Sequence, residues 1–394
     1  MWISRDIEST LTEVARERPA LILTGSRQAG KTSLLQRVFP AYGYVTLDVP
    51  RTAELAEESG EQFLRDHPAP LIIDEVQYAP RLLRWLKPAI DGRREETGLY
   101  CLTGSQKFSL MQGVTESLAG RVAVLDLHSL SAVELERFSG RTAEGGELLE
   151  WIVAGGYPEL HARGLPPERF YADYLSTYLE RDVRQVLQVR NLRDFDRFLR
   201  LAAVRSGQLL SYNAFATDLG VSPNTVKSWL SVLEASNVVC LIEPYYRNLG
   251  KRIVKSPKLY FTDTGLACYL AGIRSSRDLR GSGLLGAFFE THALAQMLRW
   301  YSNRGRAPDI YFYRDHQGRE VDFVVPVGDK LKLFECKWSE TPGTRVKGFE
   351  EISRLIGGEN VLDRTIVTPA RGSRQLRGLY IGDSVEWPAL GESG

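Results

Sequence analysis

The sequence predicts a multidomain α/β protein that opens with a parallel sheet wrapped in helices. Three observations predict it. Short apolar runs alternate with helix-patterned stretches through the first third of the chain, at 21–23, 44–47, 71–73, 99–102 and 122–127. Their continuous apolar character marks strands buried on both faces. A Gly-rich loop follows the first run, and two adjacent carboxylates end the third. At 394 residues the chain exceeds one ordinary core and divides into two to four units.

Composition narrows the classes. Hydrophobic residues at 43% and charged residues at 25% are globular values, which excludes a disordered or fibrous chain. The formal net charge of +1 provides no global field for nucleic acid, so any such contact must come from a local patch. Cys101, Cys240, Cys268 and Cys336 lie far apart without metal-ligand spacing, and read as reduced thiols of a cytoplasmic protein. No apolar run is long enough to span a bilayer, and the N-terminus lacks a secretory apolar region, so no membrane role is expected.

The loop is Gly25-Ser26-Arg27-Gln28-Ala29-Gly30-Lys31-Thr32, and Ser33 begins the following helical pattern. Glycines let the backbone bend and approach an anion, and amides at a helix N-terminus then point at phosphates. Lys31 supplies a mobile cation for the outer phosphates, and the Thr32 hydroxyl reaches magnesium. ATP and Mg2+ are the expected cofactors. The run LIIDE places Asp74 to hold the magnesium shell and Glu75 to orient and activate water. Gln77 either touches that water or is a solvated loop amide. The strand at 99–102 ends in TGSQ, which makes Ser105 the expected γ-phosphate sensor, with Thr103 as the neighbouring choice. Arg121 has two readings: neutralising transition-state charge, in its own subunit or a neighbour's, or capping the next strand at the surface.

At this point the chain resembles the prokaryotic AAA-type ATPases that carry a C-terminal conserved domain of unassigned role. The shared pieces are GSRQAGKT, LIIDEVQYAPRLLRWLKPAID, LTGSQKF, ESLAGRV, GGYPE at 155–159 and YLERDVR at 178–184. The resemblance implies an AAA-like ATPase fold, ATP hydrolysis and assembly into a homo-oligomer. The expected architecture is thus a P-loop AAA-like ATPase core over 1–138 and a helical lid or linker over 147–205. A winged helix-turn-helix over 206–272 and a small α/β restriction-endonuclease-like domain over 282–394 follow.

For the winged helix, 209–219 reads as a short helix, Gly220–Val221 as the turn and 223–233 as a second helix capped by Ser222. Val226, Trp229, Leu230 and Leu233 form its buried stripe, which turns Asn224, Thr225, Lys227 and Ser228 outward for a DNA groove. The stretch RNLGKRIVKSPK over 247–258 has five basic residues and no acidic one, with Lys251, Arg252 and Lys255 expected to meet duplex phosphates. The bland alternative is a protein-docking module with a solvated basic hairpin.

In the last unit Glu290 lies on a helical stretch, Asp322 on one strand and Glu335-Cys336-Lys337 on the next. Alternation puts Glu335 and Lys337 on one face. This order resembles the PD-(D/E)XK nuclease superfamily over about 284–370, with Val321 where proline usually precedes the aspartate. The resemblance implies that Glu290, Asp322 and Glu335 hold a metal while Lys337 positions water. Two functions are therefore open: an ATP-driven motor or switch on duplex or branched DNA, with or without strand cleavage, and a regulatory switch whose nuclease-like pocket is inactive and whose C-terminal half binds a protein. A small-molecule kinase would leave the C-terminal modules unexplained.

Overall fold

The computed structural model describes residues 1–105, 117–179, 192–245, 254–376, 379–383 and 385. The chain forms two compact units. The first comprises Met1–Leu130 with Ala235–Asn237 and Tyr301–Arg306; the second comprises Ser131–Glu234, Val238–Trp300 and Ala307–Gly394.

The first unit is built on a five-stranded parallel sheet of β1 (Ala20–Thr24), β2 (Gly43–Thr46), β3 (Leu71–Asp74), β4 (Tyr100–Gly104) and β5 (Val122–Asp126). Their order is β2-β3-β4-β1-β5. The expected runs are the observed strands to within a residue or two. Alternation sends Ile22, Ile73 and Leu102 into one core and Leu21, Leu23, Ile72 and Cys101 into another. Leu82, Leu83, Leu86 and Ile90 of the helix Leu82–Asp91 fill the first core. Leu11 of the helix Glu8–Glu17, with Leu34 and Leu35 of the helix Lys31–Val38, fills the second. Helices on both sheet faces are why the central strands carry no polar alternation.

The second unit begins with helices, among them Gly145–Ala154, Pro158–Arg163, Pro167–Tyr174 and Leu192–Val204. A small antiparallel sheet follows, of β6 (Gln208–Leu209), β7 (Val239–Ile242) and β8 (Lys258–Phe261), in the order β6-β8-β7. Between β6 and β7 lie the helices Tyr212–Leu219 and Pro223–Ala235. The first starts later than the sequence pattern suggests. Leu209 pairs with Lys258 as a strand residue, and the Ser211 hydroxyl accepts the Ala214 amide at 3.3 Å, so Ser211 is the cap. The second is as expected: Ser222 Oγ accepts the Thr225 amide at 3.1 Å, and Val226, Trp229, Leu230 and Leu233 are buried.

After the helices Thr264–Leu270 and Leu285–Asn303 comes a six-stranded mixed sheet. Its strands are β9 (Tyr311–Arg314), β10 (Glu320–Val327), β11 (Lys330–Cys336), β12 (Val361–Thr368), β13 (Arg374–Leu376) and β14 (Leu379–Asp383). β10 and β11 are antiparallel around the turn at Gly328, with Phe323 opposite Phe334. β11, β12 and β14 run parallel.

The GGYPE motif has a structural reason. Gly155 ends its helix at φ 73°, ψ −172°, a region open essentially to glycine. A Cβ there would lie 2.2 Å from the Tyr171 hydroxyl and 2.3 Å from Asp263 Oδ1. Asp263 accepts the Gly156 amide at 2.9 Å and also caps the helix Thr264–Leu270 through the Gly265 and Leu266 amides. Gly155→Ala should lower the calorimetric melting temperature by several degrees, since backbone strain of roughly 1–3 kcal/mol corresponds to about 2–4 °C per kcal/mol. An unchanged melting temperature would show that this turn relaxes freely.

Candidate active site

In a parallel sheet every strand ends on the same edge, and ligands bind outside those carboxyl ends. Here that edge carries Thr24, Asp74 and Gly104 with the loops that follow them. The loop after β1 turns through three residues with positive φ: Gly25 at 141°, Gln28 at 57° and Gly30 at 92°. Gly25 is required sterically as well, because a Cβ would sit 2.1 Å from the Leu127 carbonyl oxygen. The loop thus presents its amides inward ahead of the helix Lys31–Val38, as anion cradles do. Lys31 is buried, and its ammonium donates to the Gly25 and Ser26 carbonyls at 3.0 Å each. Ser26 and Ala29 are buried with it, while Gln28 and Ser33 are exposed. Arg27 reaches the Tyr78 hydroxyl at 3.4 Å.

Asp74 is the centre of the site. Its Oδ1 accepts from the Thr32 hydroxyl at 2.7 Å and from the Thr103 hydroxyl at 2.5 Å. Its Oδ2 accepts from Tyr44 Oη at 3.1 Å. Burial, and next the Asp74 charge, push the Tyr44 phenol up to about 12, so it stays a donor. Thr32 and Asp74 together are hard oxygen donors beside a phosphate-type loop, and they fit magnesium. Glu75 follows in a left-handed conformation, φ 57° and ψ 47°, uncommon for a residue with a side chain. Its amide donates to Thr103 Oγ1 at 2.9 Å. Gln77 Nε2 donates to Glu75 Oε2, and Ser105 Oγ lies 3.5 Å from that oxygen. Thr103 therefore bridges Asp74 and Glu75 directly, whereas among the described residues Ser105 bonds the Glu75 carboxylate and Gln77. Of the two expected sensor positions, Thr103 is the better connected.

Arg121 is not brought to this edge. It immediately precedes β5, whose Val122 pairs with Ala20 at the start of β1. That is one strand length from the loop, roughly 13 Å at ~3.3 Å per residue. Its guanidinium clasps Asp91 at 2.7 and 2.9 Å. This position and pairing do not bring it to the loop of its own chain.

The expected carboxylates of the second unit do converge. Glu290 from the helix Leu285–Asn303, Asp322 from β10 and Glu335 from β11 surround one pocket, and Lys337 Nζ pairs with Glu335 Oε1 at 2.6 Å. Two members were not anticipated. Glu320, two residues before Asp322 on the same strand face, adds a fourth carboxylate. Lys258, counted by sequence among the five basic residues of 247–258, is 2% exposed and belongs to this pocket instead. Its Nζ lies 2.8 Å from Glu290 Oε1, in contact with Glu320 Oε1, and 3.8 Å from Asp322 Oδ1. The signal was a lysine inside the otherwise apolar strand KLYF, which also makes it a poor candidate for solvent. Burial, then Glu290 and Glu335, push the Asp322 carboxyl well above its usual range. Burial also raises Glu335, against the opposing pull of Lys337. Burial pulls the Lys258 ammonium down, but Glu290 and its neighbours outweigh this and keep it charged. Among the described residues no group of three or more His, Cys, Asp or Glu is arranged to hold a metal ion, and here an ammonium sits among the carboxylates.

Of the residues expected to meet DNA, Asn224, Lys227, Ser228 and Lys255 are exposed and Thr225 is half-buried beside Ser222. Lys251 and Arg252 lie outside the described residues.

Comparison with known proteins gives these geometries a family. Residues 17–136 match the model of an AAA domain, 145–277 a domain of unknown function (DUF8612), and 285–378 a domain of unknown function (DUF4143). The uncharacterized protein Rv2008c of Mycobacterium tuberculosis is 31% identical over 341 residues, covering 86% of this chain and 74% of the relative. Uncharacterized protein Mb2031c of Mycobacterium bovis matches over the same span at the same identity. The chain belongs to their family. It is an AAA-type P-loop protein with C-terminal domains of unknown function. Among solved structures, the Walker-type ATPase PABY2304 of Pyrococcus abyssi is 17% identical with a TM-score of 0.44, over 68% of this chain and 96% of that one. A RuvB variant of Thermotoga maritima is 17% identical with a TM-score of 0.31, over 59% of this chain and 86% of that one.

One residue that positions the AAA loop escaped the sequence motif. Arg5, buried, donates to the Ala29 carbonyl at 3.0 Å and to the His128 carbonyl at 2.7 Å, bracing the loop from behind. Nothing about a lone arginine near the start of the chain signals this. Arg5→Ala should weaken binding of a fluorescent ATP analogue about tenfold, the equivalent of ~1.4 kcal/mol. Unaltered affinity would show that the loop holds its shape without that brace.

Proposed function

We propose that this AAA-type protein hydrolyses ATP and uses the cycle as a switch on DNA. The observation that carries the ATPase half is the contact of Thr32 and Asp74 beside the loop, with Glu75 adjacent. The two oxygen groups would hold a magnesium ion, which supplies charge neutralisation at the outer phosphates. Lys31 exchanges the Gly25 and Ser26 carbonyls for phosphate oxygens, so its ammonium is held ready rather than solvated. Gln77 and Ser105 orient the Glu75 carboxylate toward an attacking water. That water forms a bond to the γ-phosphorus while the β–γ bridging bond breaks, and Glu75 accepts the proton. Arg121, remote from its own loop, suits a neighbouring subunit in a homo-oligomer.

The DNA half rests on the helix Pro223–Ala235, whose exposed Asn224, Lys227 and Ser228 are groove-compatible, and on nearby Lys255. The order of two short helices followed by the antiparallel pair β7 and β8 supports a winged-helix reading. The competing reading, a switch whose second unit docks a protein, draws support from Lys258. This buried lysine subtracts one charge from the basic ribbon and blocks the carboxylate pocket.

Lys31→Ala should abolish tight nucleotide binding, whereas Glu75→Gln should retain it and lose turnover by about 10²–10⁴-fold, read as phosphate release. Normal turnover by Glu75→Gln would remove Glu75 from the role of base. Duplex, forked or four-way DNA should raise turnover of the intact protein, and increasingly so at lower salt. Turnover indifferent to all three DNAs favours the protein-docking reading.

A further inference from the structure

The carboxylate pocket of the second unit has the donors of a metal-dependent phosphodiesterase and an occupant that such a centre lacks. We propose that Lys258 is the resident cation of this pocket: its ammonium holds the place among Glu290, Glu320 and Asp322 that a divalent metal would need, making the pocket a metal-free clasp.

The oxygen inventory supports this. Glu290 Oε1 accepts from Lys258 Nζ at 2.8 Å and from the Tyr260 hydroxyl. Glu320 Oε1 contacts the same ammonium, and its Oε2 accepts from Arg314 Nη1 at 3.0 Å. Asp322 Oδ1 faces the ammonium at 3.8 Å, and its Oδ2 accepts the Cys336 amide at 2.8 Å. Glu335 Oε1 pairs with Lys337 at 2.6 Å, and Glu335 Oε2 is buried without a hydrogen-bond partner among the described residues. Magnesium needs near-octahedral oxygens at about 2.0–2.1 Å. An ammonium 2.8 Å from Glu290 Oε1 and against Glu320 Oε1 takes up two of the carboxylates and repels a second cation brought among them.

The ammonium is also hard to move. Lys258 is 2% exposed, and its backbone is held from both sides, opposite Leu209 of β6 and Ile242 of β7. The Phe312 and Tyr260 rings lie 5.6 and 6.0 Å from Nζ. A solvated lysine swings away freely; this one can do so only by rotating its side chain within a site that is 2% exposed and lined by the Phe312 and Tyr260 rings. The clasp therefore ties β8, which follows the helix-turn-helix, to β10 and the helix Leu285–Asn303. Such a role is independent of the nucleotide site, and the experiment below reads neither ATP binding nor turnover.

The test is Mn2+ binding by electron paramagnetic resonance to the full-length, nucleotide-free protein, comparing wild type, Asp322→Asn and Lys258→Met. Wild type and Asp322→Asn should give superimposable binding up to about 1 mM Mn2+, and Mn2+ should produce no cleavage of plasmid DNA that Asp322→Asn abolishes. Lys258→Met, which keeps the length of the side chain and removes its charge, should gain a site at least tenfold tighter. The double variant Lys258→Met, Asp322→Asn should lose that site again. A wild-type Mn2+ site removed by Asp322→Asn overturns the proposal. So does a folded Lys258→Met protein that gains no site. Should Lys258→Met fail to fold, the comparison of wild type with Asp322→Asn decides alone.

Discussion

Asp74 holds three hydroxyls at once, those of Thr32, Thr103 and Tyr44. Each comes from a different part of the sheet: the helix after β1, the end of β4 and strand β2. A buried carboxylate is costly unless its lone pairs are satisfied, and hydrogen bonds to the charged form are what satisfy them. That requirement sets the register of the strands around it. Thr46 of β2 lies opposite Asp74 of β3, Ile73 of β3 opposite Leu102 of β4, and Leu23 of β1 opposite Thr103 of β4, so the four strands finish within a residue of one another. Glu75, the next residue, is then forced into its left-handed turn at the edge where a phosphate would lie. The placement of the proposed base follows from the placement of the carboxylate before it.

The second unit solves a comparable problem differently. Glu290, Glu320 and Asp322 converge on one buried ammonium, and burial together with the Glu290 and Glu335 charges raises the affinity of Asp322 for protons. Two ammonium groups offset them, Lys337 from the rim and Lys258 from inside. Breaking a buried pair by removing one partner typically costs about 3–5 kcal/mol, because a lone charge is left behind. Lys258 thus ties β8 to β10 through charge. A pocket with nuclease-like donors and a built-in counter-ion is a different chemical object from one that presents its carboxylates to a metal.

Much of this was legible in residue order. The loop 25–32, the strand carrying Asp74 and the strand carrying Thr103 are local patterns, and local patterns dictate which groups lie at strand ends. The convergence of Glu290, Asp322 and Glu335 was also anticipated, since period-two alternation assigns faces without knowledge of the fold. The misplaced helix start at Leu209 shows the limit. Leu209 fits a helical apolar stripe, yet its pairing with Lys258 some fifty residues away made it a strand residue. Local propensity lost to a partner that local reasoning does not see.

What the sequence by itself determined is the set of chemical groups and their local spacing: a phosphate-type loop, a strand ending in Asp-Glu, and three acidic residues with a lysine two positions after the last. Tertiary structure alone decided where the cations went. It sent Arg121 to Asp91 at the far end of the sheet, Arg5 to the back of the loop, and Lys258 out of a supposed basic ribbon into the carboxylate pocket. The physical reason is range. Backbone geometry acts over a few residues and is written in the sequence, whereas a charge pairs with whatever counter-charge folding brings within a few ångströms.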